Sequence, residues 1–265
     1  MGRLLIRTAE DAGVLTIVLN DAARRNAMGD DMRGQLITAL DHAGSDGSVR
    51  AVVLRGAGGT FCSGGDLAAM PPENLAAARD RLAHVAALVN LLSGLTKPTL
   101  AVVEGAAAGL GASIALACDY IYMADDARFM FPFSRLGLLP DGGILHSLAA
   151  RVGVARARQL LLEGRNVGAE ECLRLGLADY TYPPGQLATE AVAKASKLAR
   201  LPPLAVGGIK KSLADGLPSW DDAFAAEAID QPGCYFSGDF AEAKRAFAER
   251  GVPVVTGLSA DSHQT

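Results

Sequence analysis

Residues 61–67, Phe-Cys-Ser-Gly-Gly-Asp-Leu, and 105–113, Gly-Ala-Ala-Ala-Gly-Leu-Gly-Ala-Ser, load glycine into two turns that each lead from a strand into a helix. The first amides of a helix have no intrahelical acceptor and carry the positive end of its dipole, so such a turn can bind negative charge. Gly105, Gly109 and Gly111 let backbone approach backbone where a side chain would collide. The Leu110 N–H is therefore a candidate donor to an oxyanion. If the two strands are parallel neighbours, both turns open at their carboxyl ends, the usual place for a ligand. Two N–H groups meeting at one carbonyl oxygen would stabilise the charge that develops there during reaction, and a thioester, whose enolate needs only hydrogen bonds to hold it, suits that geometry. The plainer alternative is a core helix whose glycines serve close packing.

Other reactive side chains are few. Cys62 adjoins the first turn, but Phe61 and Ser63 beside it offer no charge to lower its pKa. His84 falls on an amphipathic helix, where a solvated histidine is the default. His146 follows Asp141 by a spacing that does not put the two on one helix face. Glu104 ends a strand just before the second turn and is either paired or a polar group lining the pocket.

The elements that must position these groups alternate. Val14–Leu19 and Ala51–Arg55 read as strands, with a helix over about 29–43 between them. Leu75, Ala78, Leu82, Val85, Val89 and Leu92 recur at helical steps and predict an amphipathic helix ending near Gly94. Thr99–Val103 is short, apolar and β-branched, as a strand covered on both faces should be. An interior helix is expected over 106–117, strands over 120–124 and from 127, a turn over 136–143 pivoting on Pro140, and helices over 144–152, 155–162 and 169–175. After a strand or extended connector at 177–182, the chain reads as helical over 188–199, 205–215, 219–229 and 239–250. The tail from Leu258 reads as disordered. Strands alternating with helices imply an α/β fold with parallel βαβ units.

Half of the 265 residues are hydrophobic, enough for a sizeable core. The net charge is -4 with no block of Lys or Arg, which argues against nucleic acid or an anionic membrane as partner. Cys62, Cys118, Cys172 and Cys234 are too widely spaced for a zinc site or a disulfide framework, so no metal is expected and reduced thiols in a cytoplasmic protein are. Arg3, Arg7, Glu10 and Asp11 interrupt any leader-like apolar run, and the apolar stretch 99–118 contains Glu104, so no membrane segment is expected. A dinucleotide site is not expected either, because no Gly-x-Gly-x-x-Gly follows the first strand.

Taken together, Phe61-Cys-Ser-Gly-Gly-Asp-Leu67, Lys97-Pro, Gly105-Ala-Ala-Ala-Gly-Leu-Gly-Ala-Ser113 and Ala117-Cys-Asp119 resemble the enoyl-CoA hydratase/isomerase (crotonase) superfamily. Arg25-Asn-Ala-Met28, Leu136-Gly-Leu-Leu-Pro-Asp-Gly-Gly143 and Ala169-Glu-Glu-Cys-Leu-Arg-Leu-Gly-Leu177 extend the likeness over roughly residues 5–250. The resemblance implies a ββα spiral core over 1–195, a C-terminal helical region over 196–257 that makes trimer contacts, and a homotrimer or dimer of trimers. It implies an acyl-CoA thioester as ligand, with coenzyme A part of the substrate and no separate cofactor. Carried over residue by residue, the Gly65 and Leu110 amides become the oxyanion donors. Ala23, Arg24, Arg25, Ser63, Gly64, Asp66 and Leu67 become CoA-binding positions, and Lys210 and Lys211, late in the chain, are further candidates for the CoA phosphates. Met70, Phe131, Phe133 and Leu138 become the acyl pocket. Arg24 and Arg25 are otherwise ordinary surface charges, and Asp66 is otherwise a helix cap.

Hydratases of this family use two glutamates, and this chain has Ser113 and Phe133 at those places. Neither can activate water or deliver a proton near neutral pH, so two-glutamate hydration is not expected. Asp141 matches the position where some members, including certain isomerases, keep a single acid/base. In an apolar cleft with Phe131, Phe133, Leu138 and Leu139 its pKa should rise. Its other reading is as the cap of the helix that follows. Ser113 reads as a small core residue bonded back to a carbonyl. The resemblance thus favours double-bond isomerisation of an enoyl-CoA with Asp141 as acid/base. An atypical hydratase, another crotonase-type acyl-CoA reaction and a non-catalytic acyl-CoA binder are the alternatives.

Overall fold

Residues 3–216 and 219–257 are described by the computed structural model, so the tail from Leu258 lies outside the described residues. The elements are β1 (Ile6–Asp11), β2 (Val14–Leu19), α1 (Asp30–Ser45), β3 (Ala51–Gly56), α2 (Leu75–Ser93), β4 (Thr99–Val103), β5 (Ala106–Ala108), α3 (Leu110–Leu116), β6 (Tyr120–Ala124) and β7 (Arg128–Met130). They continue with α4 (Ile144–Val152), α5 (Val154–Glu163), β8 (Asn166–Gly168), α6 (Ala169–Leu175), β9 (Tyr180–Tyr182), α7 (Pro184–Leu198), α8 (Pro203–Asp215), α9 (Trp220–Tyr235) and α10 (Gly238–Ala248).

One sheet has the order β1-β2-β3-β4-β6-β9, parallel except for the β1–β2 pair; a smaller sheet has the order β5-β7-β8. The buried runs β3 and β4 lie in the middle, as their uniformly apolar, β-branched sequences require. Each central strand is followed by a second short extended piece and then a helix. β4 leads to β5 and α3, and β6 leads to β7 and α4. After β3 the second piece is only the bridge Cys62↔Ala107, and after β2 only Met28↔Gly65. Four ββα turns are thus stacked rung on rung, and two of the rungs are the glycine turns.

Three strands depart from expectation. Ile6–Asp11 was not expected as a strand, because only Ile6 is buried in it; the antiparallel ladder to β2 makes it one. Ala106–Ala108 was expected inside a helix, alanine being the best helix former. It is extended instead, because the Cys62 N–H donates to Ala106 O at 3.0 Å and the Ala108 N–H donates to Cys62 O at 2.9 Å. β8 pairs antiparallel with β7 where only a connection was expected.

Two residues of the quoted motifs, Lys97 and Asp119, act as joints. The Lys97 ammonium donates to the carbonyls of Ala43 and Asp46 and so closes the carboxyl end of α1. The Asp119 carboxylate accepts from the Thr99 N–H at 2.7 Å and hydroxyl at 2.9 Å, locking the end of α3 to the start of β4. Helix α7 crosses β2, β3, β4, β6 and β9, burying Leu187, Ala191 and Ala195 at helical spacing. Residues 199–202 link this covering helix to α8. Helix α9 buries no residue at all, and Trp220, Ile229 and Phe236 stand exposed.

Candidate active site

Chain entropy alone would keep the two glycine turns apart; the rung between Cys62 and Ala107 joins them. Gly64 has φ +100°, a conformation open to glycine, and a Cβ built on it would lie 2.8 Å from Ala108 O and 3.7 Å from Leu110 N. Helix α3 starts at Leu110, with Gly109 as its N-cap at φ 50°. Among the described residues, neither the Gly65 N–H nor the Leu110 N–H donates to a protein acceptor. Two unpaired amides therefore stand on adjacent rungs at the carboxyl ends of β3 and β4.

The first turn is held by a residue outside the expected site. Asn26 is wholly buried; its Nδ2 donates to the carbonyls of Ala57 at 3.0 Å, Thr60 at 2.7 Å and Phe61 at 3.3 Å, and its Oδ1 accepts from the Asp21 N–H at 2.9 Å. Two backbone bonds also tie the 25–28 segment to the turn: Ser63 N–H donates to Arg25 O at 3.0 Å, and Met28 N–H donates to Gly64 O at 2.7 Å. Ala23, Arg24, Arg25, Ser63, Gly64, Asp66 and Leu67 are thus brought together. Arg24 is engaged by Asp21 at 2.8 Å and Asp66 at 2.9 Å, whereas Arg25 is exposed with no ion-pair partner among the described residues. Asp66 also caps the single turn Leu67–Ala69, accepting from the Ala68 N–H at 3.2 Å.

Lys210 is elsewhere. Its ammonium pairs with Asp119 and donates to Lys97 O at 2.9 Å, at the amino end of β4 and so at the opposite end of the sheet from Gly65. Asp119 attracts it there, and it lines a cavity of about 820 Å³ between α2, α3, α4 and α8 that reaches Gly142 and Gly143 on the loop carrying Asp141. Lys210 is therefore not one of the side chains that surround the glycine turns. Lys211, on the same helix, has an interaction of its own.

Asp141 comes to the site on the loop before α4. Its side chain does not cap that helix: the N-cap is Gly143, at φ 70°, with no side-chain bond. Ser113, beyond bonding back to Gly109 O at 3.3 Å, donates to Asp141 O at 2.9 Å and pins the loop to α3. Gly142 packs so close that a Cβ there would lie 2.7 Å from Ser113 Cβ and 2.8 Å from Leu110 Cδ1. Asp141 Oδ1 is buried with no hydrogen-bond partner among the described residues. Desolvation raises the pKa of this carboxyl, opposed by the nearby charges of Arg81 and Arg33. The surroundings differ from expectation. Phe131 and Phe133 are buried, but Leu138 is 46% and Leu139 80% exposed, so the burial of Asp141 comes from α3 and α2. Met70 does reach the site, its Cε 2.8 Å from a Cβ built on Gly65.

The remaining candidates are spoken for or withdrawn. Glu104 pairs with Arg55 at 3.0 Å, and His84 and His146 are exposed. Burial pushes the Cys62 thiol up to about 12, which removes it as a nucleophile. Sequence reasoning missed Arg33 and Arg81 because arginine on a helix is normally a solvated face; only packing buries these two.

A family model for enoyl-CoA hydratase/isomerase matches residues 9–257. The chain belongs to that family. It is an acyl-CoA enzyme of the crotonase superfamily, and its mixed α/β architecture is the crotonase fold. A relative from Rhodobacter capsulatus, inferred to be an enoyl-CoA hydratase, is 38% identical over 95% of this chain and 98% of its own length. The 1,2-epoxyphenylacetyl-CoA isomerase of Escherichia coli strain K12 is 34% identical over 93% of this chain and 96% of its own. Among solved structures, an enoyl-CoA hydratase from Bacillus anthracis superposes with a TM-score of 0.92, at 27% identity, over 96% of this chain and all of that one. Hydratase and isomerase names thus both occur among the family members this chain is similar to. No helix among the described residues is long and apolar enough to cross a membrane.

Proposed function

We propose that this enzyme moves the double bond of an enoyl-CoA thioester. The Gly65 and Leu110 amides hold the thioester oxygen as its enolate forms, and Asp141 takes a proton from C2 and returns it to C4. The observation that carries this reading is Asp141 Oδ1, a carboxylate oxygen buried without a partner beside α3. Hydration would require a second proton-transfer group. Ser113 is committed to two carbonyls and Phe133 has no titratable group, so one shuttle is what the site supplies. Arg25, Ser63 and Leu67, exposed at the mouth, suit the CoA moiety, and Met70 and Phe133 suit the acyl part.

Mass spectrometry of the products from a panel of 2- and 3-enoyl-CoA esters is the test. Isomerisation leaves the mass unchanged and, in deuterated water, introduces deuterium at C2 or C4. The hydratase names among the relatives support the competing reading, and a product heavier by one water would establish it instead.

The exposed apolar side chains of α9 and α10, among them Trp220, Phe224 and Phe247, support assembly as a homotrimer or dimer of trimers. Sedimentation equilibrium should return the mass of one of these; a monomer at micromolar concentration would contradict it.

A further inference from the structure

Two arginines that the proton shuttle does not use end beside it. Arg33, in the first turn of α1, is 3% exposed, and its Nη1 is buried without a hydrogen-bond partner among the described residues. Arg81, on α2, is 12% exposed, and its Nη2 is likewise buried and unpartnered among the described residues. Both lean on one carboxylate, Asp30, whose side chain is 79% exposed: it pairs with Arg33 and stands 3.9 Å from Arg81 Nη1. Asp30 is the one carboxylate within ion-pair distance of either guanidinium among the described residues, and each guanidinium keeps a donor turned away from solvent. Buried donors without acceptors are costly, so their persistence points to an acceptor that arrives with the ligand.

Position says where that acceptor sits. Arg81 Nη2 lies 3.0 Å from a Cβ built on Gly65. Within a residue the amide nitrogen and Cβ are about 2.5 Å apart, which puts Arg81 Nη2 within about 5.5 Å of the Gly65 nitrogen. Across the gap is Asp141, which feels the charge of both arginines yet makes no ion pair with either among the described residues. A group held by Arg81 and Arg33 is therefore a few carbon atoms from a thioester carbonyl at Gly65. A carboxylate matches the planar fork of a guanidinium and can accept from both arginines.

We propose that Arg81 and Arg33 form an anion subsite beside the thioester site, so that the preferred acyl group is a short chain bearing a carboxylate rather than a plain alkyl chain. The subsite rests on the acyl-thioester reading of the Gly65 and Leu110 turns. The whole protein carries a charge of -4, so its overall field works against an extra negative charge and any preference must come from this cluster.

Calorimetric titration of the full-length protein with malonyl-CoA and glutaryl-CoA, against butyryl-CoA and pentanoyl-CoA, tests it. The carboxylated esters should bind about tenfold or more tightly than the alkyl esters. That ratio should fall to near one in Arg81→Met, fall in Arg33→Met and be partly kept in Arg81→Lys. A ratio near one in the native protein overturns the subsite. So does Arg81→Met weakening both ester classes equally, which would assign the arginine to the thioester oxygen or the CoA phosphates. Deuterium exchange at C2 of butyryl-CoA separates the two readings. Exchange without a carboxylate preference sinks the subsite and spares the proton shuttle, whereas a preference without exchange does the reverse.

Discussion

Asp141→Asn should lower kcat/KM for double-bond migration by about 10³-fold while acyl-CoA binding survives. Asparagine keeps the shape of the side chain, so the Ser113 bond to the residue 141 carbonyl and the packing of Gly142 on α3 remain, but it cannot accept and return a proton. The pH dependence follows from the same burial. Desolvation raises the Asp141 pKa above its ordinary 3.8, with Arg81 and Arg33 pulling it partly back. The carboxylate is the form that takes the C2 proton, so kcat/KM should fall as pH drops through that raised value. The acid limb should be absent from the residual activity of the asparagine variant. Stability carries the opposite sign. A carboxyl whose pKa is higher folded than unfolded stabilises fully below its ordinary value and loses that contribution as pH rises through the raised one. Asp141→Asn escapes this loss, and urea denaturation at neutral pH should find it at least as stable as the parent. Full activity in the variant would remove Asp141 from the reaction.

The second large effect is expected from a residue with no functional group. A Cβ on Gly111 would stand 2.5 Å from Cys62 O and 2.7 Å from Cys62 Cβ, and the carbonyl it meets is backbone that cannot swing aside. Gly111→Ala must push α3 away from the 62–65 turn, separating the two amides that are to share one oxygen. Losing one such donor costs about 10² to 10³ in rate, and kcat/KM should fall by that order. Overpacking of this kind also costs about 1–3 kcal/mol in stability, readable by chemical denaturation. Gly34→Ala is the contrast: a Cβ there meets nothing within 4 Å, in the middle of α1. It should gain about 0.5–1 kcal/mol and leave the rate alone. A Gly111→Ala enzyme with native kcat/KM would mean that the spacing of the two amides does not matter.

The glycines of both turns, the apolar strands β3 and β4 and the carboxylate at 141 are local facts, legible in residue types and spacing. Glycine beside a helix start and β-branched runs constrain chemistry without reference to distant parts of the chain, and the resemblance adds that Ser113 and Phe133 stand where hydratases keep their two glutamates. Nonlocal pairing decided other features against local preference. Ala106–Ala108 became a strand because Cys62 offers it both hydrogen bonds, and Ile6–Asp11 became one because β2 offers it a ladder. Side-chain fate was decided the same way. Lys210 is a lysine on a helix like any other until Asp119 meets it, and Arg33 and Arg81 are ordinary surface residues by sequence until α1 and α2 close over them. The sequence by itself determined which backbone could turn sharply and which groups could carry a proton, since those are properties of single residues. Only the tertiary structure decided which charges are buried, which amides are left without acceptors and what faces Asp141, because burial and hydrogen-bond satisfaction depend on partners far away in the chain.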